Sequence, residues 1–354
     1  MAGERQLKCL IAAGGTAGHV LPALAVADEL RRRGVHVTFA GSPDRAEARL
    51  VPEAGYELDT FRIVGLPRRP SLELAFALIL AGRAPRDCSR ILRRRQPDVV
   101  LGGGGFVAGP MVYAAWRKRI PAALMEADAY LGLSNKLAKP FAQRLFLAYP
   151  LVHGSKTRVV GRPIPARSHV VPRAEARARL ELPADGPVLL VAGALAGARA
   201  LNELAIESFG AAGPAVLHIS GERDYEWLRP RVMRPDYRLI PSTEDFGAAL
   251  GAANLALARA GGTVWELAAA GLPAVLVPYP FATRDHQTLN ARYFERGGGA
   301  IVVPETELGR VPDIARSLLG DARRLDAMGA AMRSVAKPGA AHEIAEELIA
   351  LASA

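Results

Sequence analysis

The chain has 354 residues, half of them apolar, and it carries a formal net charge of +10. Its length accommodates two domains of ordinary size, and its apolar content excludes intrinsic disorder as the main state. The positive charge favours an anionic partner, a class that includes nucleic acids, nucleotides and acidic membrane surfaces. The two cysteines, Cys9 and Cys88, are far apart, which argues against a disulfide framework or a cysteine zinc site.

Short apolar runs alternate with amphipathic helical stretches along the first half of the chain. Residues 8–13 predict a strand, residues 14–18 a glycine-rich turn, and residues 22–33 a helix that precedes a strand at 35–40. A similar unit begins with a strand at 99–101 that runs into four glycines. Further strands are predicted at 122–124 and 144–147. This alternation predicts parallel sheets that are covered by helices.

Residues 161–165 contain two prolines, so they cannot lie inside a central strand or a helix and predict a linker. The pattern then restarts, with strands predicted at 188–192, 215–219, 255–258 and 274–277 and a helix at 198–209. The predicted fold class is α/β, with two Rossmann-like, doubly wound parallel-sheet domains that face each other across a cleft. The domains comprise residues 1–161 and 162–340, and a helix at 341–354 is expected to pack back on the first domain.

A glycine-rich turn ends in a histidine between the first strand and the first helix, with the sequence Gly14-Gly15-Thr16-Ala17-Gly18-His19. Glycines let the backbone approach a charged group, and a helix N-terminus offers free N–H donors. The spacing matches neither the dinucleotide-binding fingerprint nor the P-loop. The imidazole of His19 can act as a general base near neutral pH, but on this feature alone a structural hydrogen bond is favoured.

Two segments of the second domain carry groups that suit a sugar diphosphate. The turn that contains Gly193 and Leu195 precedes a helix whose N-terminus can hold a diphosphate, and a plain strand-to-helix turn is an equal alternative. Gln287 and Asn290 are three residues apart and share a helix face. Their amides suit sugar hydroxyls, which both donate and accept, and a solvated helix face is the alternative.

A third segment of the second domain places two glycines before a helix that carries an early carboxylate. Gly261, Gly262 and Thr263 follow a predicted strand, and Glu266 falls in the first turn of the next helix. A carboxylate there can accept hydrogen bonds from a ribose diol, or it can simply interact with the helix dipole. The sequence contains no Asp-x-Asp pair, no His-x-x-x-His pair and no cysteine cluster. We therefore predict neither a catalytic metal nor another cofactor.

Taken together, these motifs resemble the bacterial MurG family, the N-acetylglucosaminyltransferases of peptidoglycan synthesis. The similarity covers nearly the whole chain, and the motifs occur in the family's order. The segments that carry it are residues 14–19, 98–107, 126–135, 197–199, 259–266, 270–273 and 285–290. The chain departs from the family's pattern at Asp128, where the family commonly has asparagine, at Leu195, where it has serine, and at Pro165, where it often has arginine.

The resemblance implies a GT-B fold, an active site without a metal, and inverting transfer of GlcNAc. The donor would be UDP-GlcNAc, and the acceptor would be the C4 hydroxyl of the muramoyl sugar of lipid I, which becomes lipid II. By the same resemblance His19 is the leading candidate for the general base, with Glu126 and Asp128 as alternatives. The implied donor-binding residues are Thr16, Gly193, Leu195, Gly261, Gly262, Thr263, Glu266, Gln287 and Asn290.

Two rival functions share parts of this pattern. A UDP-GlcNAc 2-epimerase has the same architecture but needs no membrane acceptor. A donor-binding scaffold would recruit other cell-wall synthesis proteins without catalysis. For the transferase, backbone N–H groups at 193–198 and a nearby arginine would stabilise the departing UDP in place of a metal.

The predicted location is peripheral, on the cytoplasmic face of the cell membrane. Residues 62–95 contain nine arginines and two acids, and Leu72, Phe76 and Ile79 fall on one helical face within them. Trp116 is followed by three cations. The alternative is that these apolar residues are core. The predicted membrane residues are Arg68, Arg69, Leu72, Phe76 and Trp116, and the predicted partners are UDP-GlcNAc, lipid I, an anionic inner-membrane surface and other cell-wall synthesis proteins, with no nucleic acid.

Overall fold

The computed structural model describes residues 5–65, 69, 71–193 and 197–354 of the chain. Contacts divide the chain into two compact units, each built on a parallel sheet. The first unit comprises Met1–Pro165 together with Pro338–Ala354, and the second comprises Ala166–Lys337. The two predicted doubly wound parallel-sheet domains are thereby confirmed.

The first unit contains a seven-stranded sheet in the order β3-β2-β1-β4-β5-β6-β7. Its strands are β1 (Lys8–Ala13), β2 (His36–Gly41), β3 (Glu57–Thr60), β4 (Val99–Gly104), β5 (Ala122–Glu126), β6 (Arg144–Leu147) and β7 (Thr157–Val159). The strand order changes direction between β1 and β4, where Ala13 pairs with Gly104. Ligands of such sheets bind at the carboxyl ends of the strands beside this switch point. Both glycine turns of this unit therefore lie at the place where the topology favours a ligand.

Two helical layers cover the sheet of the first unit. Helices α1 (Ala17–Arg32), α2 (Ala46–Glu53) and α14 (Ala340–Ala352) share one apolar core with the sheet. Helices α3 (Leu72–Arg95), α4 (Ala108–Arg117) and α5 (Leu133–Ala138) share a second core. None of the helices formed by the described residues combines the length and the hydropathy that crossing a bilayer requires.

The first helix begins more than a turn earlier than predicted. It starts at Ala17 rather than at residue 22, so His19 lies on the helix and Pro22 is its sixth residue. Proline is favoured at the start of a helix and disfavoured inside one, so the residues around Pro22 do not reveal this earlier start. An interior proline removes one N–H donor, and here the freed carbonyl of Gly18 accepts a hydrogen bond from Arg162 instead.

The second unit contains a six-stranded sheet in the order β10-β9-β8-β11-β12-β13. Its strands are β8 (Val188–Ala192), β9 (Ala215–Ile219), β10 (Tyr237–Ile240), β11 (Leu255–Ala258), β12 (Ala274–Leu276) and β13 (Ala300–Val302). Its helices are α6 (Arg173–Arg179), α7 (Arg199–Phe209), α8 (Glu222–Leu228), α9 (Phe246–Ala252), α10 (Thr263–Ala270), α11 (His286–Arg296), α12 (Val311–Leu319) and α13 (Ala322–Val335). The switch point lies between β8 and β11, and the glycine turns of this unit follow these two strands.

Candidate functional site

The first glycine turn is held by hydrogen bonds from two directions. The N–H of Gly14 donates to the carbonyl of Gly104 across 3.4 Å. The N–H of Gly15 donates to a carboxylate oxygen of Glu47 across 2.8 Å. Gly15 has a φ of +90°, a conformation that side chains disfavour. The turn is therefore a fixed piece of backbone, and α1 starts directly after Thr16.

Glu47 is a buried carboxylate of the first unit that sequence reasoning did not single out. Its side chain is fully buried, and its second oxygen accepts the N–H of Ser42 across 2.8 Å. A Cβ atom on Gly14 would lie 2.1 Å from this carboxylate, and one on Gly41 would lie 2.6 Å from its Cγ. Both glycines thus make room for Glu47. A glutamate in the first turn of a short helix usually reads as a surface residue, so its sequence gives no signal of this role.

His19 lies between Thr16 and the second glycine turn. Its Nδ1 is 3.2 Å from the Thr16 hydroxyl oxygen, and the residue is half-buried. Gly104 has a φ of +108°, and a Cβ atom there would come within 2.6 Å of the imidazole Cδ2. The four-glycine run therefore leaves the space that the imidazole occupies. In the tautomer whose Nδ1–H donates to Thr16, the Nε2 lone pair is the proton acceptor.

Glu126 and Asp128 lie on the loop that follows β5. Glu126 is buried, and its carboxylate accepts hydrogen bonds from the N–H of Gly132 across 2.8 Å and from the side chain of Asn135 across 3.0 Å. Burial raises the pKa of Glu126, while the hydrogen bonds from Gly132 and Asn135 act to lower it. These bonds suit a residue that holds its own loop. Asp128 lies near the start of this loop, and one of its carboxylate oxygens is 3.9 Å from the guanidinium of Arg162.

The glycine turn after β8 is tightly packed at both of its described ends. A Cβ atom on Gly193 would lie 2.3 Å from the backbone N of Ala198. Gly197 has a φ of +74°, and a Cβ atom there would lie 2.1 Å from the carbonyl oxygen of Ser220. The predicted donor residue Leu195 lies outside the described residues.

The turn after β11 carries the predicted ribose carboxylate. Gly261 and Gly262 precede α10, which begins at Thr263, and all three residues are partly exposed. Glu266 lies in the first turn of this helix and is also partly exposed. One of its carboxylate oxygens accepts a hydrogen bond from the hydroxyl of Ser168 across 2.6 Å. This bond orients the carboxylate beside the turn.

The two predicted amides of α11 both contact neighbouring turns. The Gln287 side-chain oxygen accepts the N–H of Tyr279 across 2.9 Å, and its nitrogen lies 4.0 Å from the position of a Cβ atom on Gly261. Asn290 is buried and donates to the carbonyl of Ala260 across 3.1 Å. The alternative of a solvated helix face is therefore wrong for Asn290. The structure brings Gln287 and the glycine turn together, and Asn290 anchors that turn.

Three arginines of the second unit differ in the partners that their guanidinium groups bind. Arg259 is buried, donates to two backbone carbonyls and pairs with Glu305. Arg199 pairs with two carboxylates and lies 3.7 Å over the indole of Trp227. Arg167 is partly exposed, and its Nε is buried without a hydrogen-bond acceptor among the described residues. Among the described residues, the Nε of Arg167 is therefore a donor that still lacks an acceptor.

The first turns of the long helix α3 expose large apolar side chains, whereas Ile91 and Leu92 near its end are buried. Leu72 is 91% exposed, Phe76 59% and Ile79 53%, whereas small residues such as Ala77 and Ala84 face the core. The alternative that these large side chains are core is therefore wrong. Arg68 lies outside the described residues, and Arg69 is exposed.

Two neighbouring helices add further exposed apolar side chains on the same side of the sheet. Trp116, at the end of α4, is 49% exposed, and Leu133 and Leu137 on α5 are more than half exposed. Neither leucine was predicted from the sequence to be part of a membrane surface. At least three of the nine arginines in 62–95 form ion pairs, because Arg90 pairs with Asp87 on the same helix and Arg94 and Arg95 pair with carboxylates of β3. We call the residues Leu72, Phe76, Ile79, Trp116, Leu133 and Leu137 the exposed apolar set.

Each of the two units matches the model of a known domain family. Residues 9–147 match the model of the glycosyltransferase family 28 N-terminal domain. Residues 188–344 match the model of the glycosyltransferase family 28 C-terminal domain. In both cases the matched range includes the glycine turns at the switch point of the sheet.

Individual relatives point the same way. Over 350 residues the chain is 42% identical to the UDP-N-acetylglucosamine–N-acetylmuramyl-(pentapeptide) pyrophosphoryl-undecaprenol N-acetylglucosamine transferase of Acidithiobacillus ferrooxidans, with 96% of each chain covered. The crystal structure of Acinetobacter baumannii MurG matches with a TM-score of 0.78 and 28% identity, over 98% of this chain and 99% of that one. A UDP-GlcNAc 2-epimerase from Neisseria meningitidis matches with a TM-score of 0.65 at 14% identity, over 97% and 100%, which is a likeness of fold alone.

Proposed function

This chain belongs to glycosyltransferase family 28 and, within it, to the MurG family, and from that membership we propose that it transfers N-acetylglucosamine from UDP-GlcNAc to lipid I. The acceptor atom is the C4 hydroxyl oxygen of the muramoyl sugar, and the product is lipid II with inverted anomeric configuration. The observation that carries the proposal is the 42% identity to a transferase of this name over 96% of the chain.

The first unit supplies the acceptor side of the proposed reaction. The acceptor oxygen attacks the anomeric carbon of GlcNAc, the bond from that carbon to the UDP phosphate oxygen breaks, and UDP leaves with the bonding electrons. The acceptor proton passes to Nε2 of His19, whose ring is oriented by Thr16 and by the space at Gly104. Glu126 and Asp128 remain the alternatives for this proton, and the bonds within its own loop make Glu126 the weaker of the two.

The second unit supplies the donor side. Glu266, already oriented by Ser168, accepts hydrogen bonds from the uridine ribose. Gln287 and the backbone of Gly261 and Gly262 contact the sugar, because they lie together at the carboxyl end of β11. Charge that develops on the departing diphosphate is stabilised by the N–H groups at the start of α7 and by Arg167.

Acceptor dependence tests this function directly. UDP release from UDP-GlcNAc should occur only when a lipid I analogue is present. Product without acceptor would favour the epimerase, and binding without turnover would favour the scaffold. His19→Ala should lower turnover by about 10²–10⁴-fold while UDP affinity stays unchanged. Turnover within a few-fold of wild type would move the general base to another group.

We further propose that the first unit docks peripherally on an anionic surface, the cytoplasmic face of the cell membrane. The exposed apolar set lies on the three helices that share one core, and exposed cations such as Arg69, Arg83 and Lys136 accompany it. Exposed apolar side chains with basic neighbours suit an interface between lipid and water. Each cation near an anionic surface contributes about 1 kcal/mol, so such binding is reversible and weakens with salt.

Vesicle co-sedimentation tests the docking. An Arg69→Glu, Phe76→Ser variant should bind vesicles that contain anionic lipid about 10–100-fold more weakly than wild type, because one charge is reversed and one exposed ring is lost. Both sites are exposed, so the fold should be unaffected. The matched control is Met233→Ser, which removes an even more exposed apolar side chain from the second unit. Equal binding of all three proteins, or binding that ignores anionic lipid and salt, would refute the docking.

A further inference from the structure

The start of α1 contains a backbone carbonyl that the helix itself cannot satisfy. Pro22 is the sixth residue of this helix and has no N–H, so the carbonyl of Gly18, four residues earlier, loses its usual partner. Gly18 is exposed, so this carbonyl is left to water or to another donor. The guanidinium of Arg162 fills the place, because its Nη2 donates to the Gly18 oxygen across 2.6 Å.

The same guanidinium also reaches the loop that follows β5. Its Nη1 donates to the carbonyl of Ala127 across 2.9 Å, and a carboxylate oxygen of Asp128 lies 3.9 Å away. Arg162 is only 6% exposed, so its planar fork is held in place between two segments that are distant in sequence. One cation thus joins the start of α1 to the loop after β5.

Each of the two carbonyls directly precedes a candidate for the acceptor chemistry. Gly18 is followed by His19, and Ala127 is followed by Asp128. A buried arginine that served the fold alone could bond any carbonyls in its neighbourhood. We propose that Arg162 is a positioning residue that sets the distance between His19 and the Asp128 loop, and that Pro22 keeps the Gly18 carbonyl available to it. This inference rests on the proposed function, in which His19 accepts the proton.

The pairing of Arg162 with Pro22 allows stability and positioning to be separated. Arg162→Ala leaves the Gly18 carbonyl without a protein donor, so this variant loses the stability that this hydrogen bond contributes, together with the bridge. Adding Pro22→Ala restores a helical N–H to that carbonyl but does not restore the bridge to Ala127. Arg158→Ala is the matched control, since Arg158 donates to carbonyls of its own strand and its neighbouring turn.

In acceptor-dependent UDP release, Arg162→Ala should lower kcat by about 10–100-fold, as a displacement of about 1 Å would, and leave the KM for UDP-GlcNAc within about twofold. The double variant should regain most of the melting temperature and keep the low kcat. The kcat of Arg162→Lys should lie between those of wild type and Arg162→Ala, because an ammonium lacks the fork that reaches both carbonyls. Recovery of kcat together with stability in the double variant would overturn the proposal. A proportional rise in the KM for UDP-GlcNAc would also overturn it, because Arg162 would then act on the donor.

A readout without turnover keeps this test separate from the test of the proposed function. In protein labelled at histidine, the ring resonances of His19, assigned from His19→Ala, report the position of the turn. They should shift in Arg162→Ala and in the double variant, and stay unchanged in Arg158→Ala. If wild type shows no acceptor-dependent UDP release, the proposed function fails by itself, and the resonances still decide whether Arg162 positions His19. Identical His19 resonances in Arg162→Ala and wild type would overturn the positioning role.

Discussion

Replacing Glu47 with glutamine changes one atom in the support of the first glycine turn. In the wild type, one carboxylate oxygen accepts the N–H of Ser42 and the other accepts that of Gly15, each across 2.8 Å. Glutamine keeps one acceptor oxygen and presents an NH₂ group to the other backbone donor. One buried N–H therefore loses its acceptor, and the remaining hydrogen bond loses its charge assistance.

The structure sets the size of the effect. A hydrogen bond to a charged group contributes about 1.5–3 kcal/mol, and a buried donor without an acceptor costs about 1–3 kcal/mol. These effects overlap, so the free energy of unfolding of the first unit should fall by about 2–4 kcal/mol. For a unit of this size the melting temperature should fall by about 4–16 °C. The turn also carries the start of α1, so turnover should fall while UDP affinity in the second unit stays unchanged.

Scanning calorimetry of the full chain measures this shift, and a matched control lies on the same helix. Glu53 is exposed and pairs with Arg49 across 2.8 Å, and an exposed pair of this kind contributes less than about 1 kcal/mol. Glu53→Gln should therefore melt close to wild type. If Glu47→Gln melts at the same temperature as Glu53→Gln, the carboxylate does not hold the turn and the reasoning is wrong.

Four further predictions follow from the two units. Glu266→Ala should weaken UDP binding by about 1.5–3 kcal/mol in titration calorimetry, because a charge-assisted hydrogen bond is lost; unchanged affinity in a folded variant would remove Glu266 from the site. Gly104→Ala should lower turnover by about 100-fold at unchanged UDP affinity, because its Cβ atom would meet the imidazole of His19; normal turnover would show that the ring lies elsewhere. Burial lowers the pKa of His218 from 6.5 to about 3, so the folded chain resists a proton that the unfolded chain accepts, and stability is lost as the pH falls below 6.5. Urea unfolding should show wild type losing about 2 kcal/mol more than His218→Gln between pH 7 and pH 5, and equal losses would contradict a neutral buried imidazole. Turnover in detergent should survive exhaustive chelation, and a loss that Mg²⁺ or Mn²⁺ restores would contradict metal-independent chemistry.

Sequence patterns predicted the central strands well, because each one is a short apolar run that ends in glycines or a polar turn. Edge strands were missed, among them β10 and β13, since they are short and only partly buried. The start of α1 was misplaced because Pro22 is a common helix start, and the donor that compensates for it, Arg162, lies far away in sequence. No local pattern reveals a partner at that distance.

The orientation of α3 could not be settled from its sequence. Its first turns are apolar nearly all round, so helical periodicity gives no preferred core face. In the structure the small side chains of Ala77 and Ala84 are buried, and Ala84 shares a core with residues of α4, while the larger side chains of the first turns remain outside. The burial of Glu47 could not be predicted from its sequence either, because it depends on the absence of side chains at Gly14 and Gly41.

The return of α14 to the first unit bears on how the protein is made. Its apolar residues Ile344, Ala345 and Leu348 share a core with α1. On the ribosome these residues are synthesised only after every residue of the second unit. The second unit is contiguous, so it can complete its fold first, which reverses the usual order in which the earlier domain folds first during synthesis. Until α14 arrives, the nascent chain presents an uncovered apolar strip on α1, which is the kind of surface that chaperones bind.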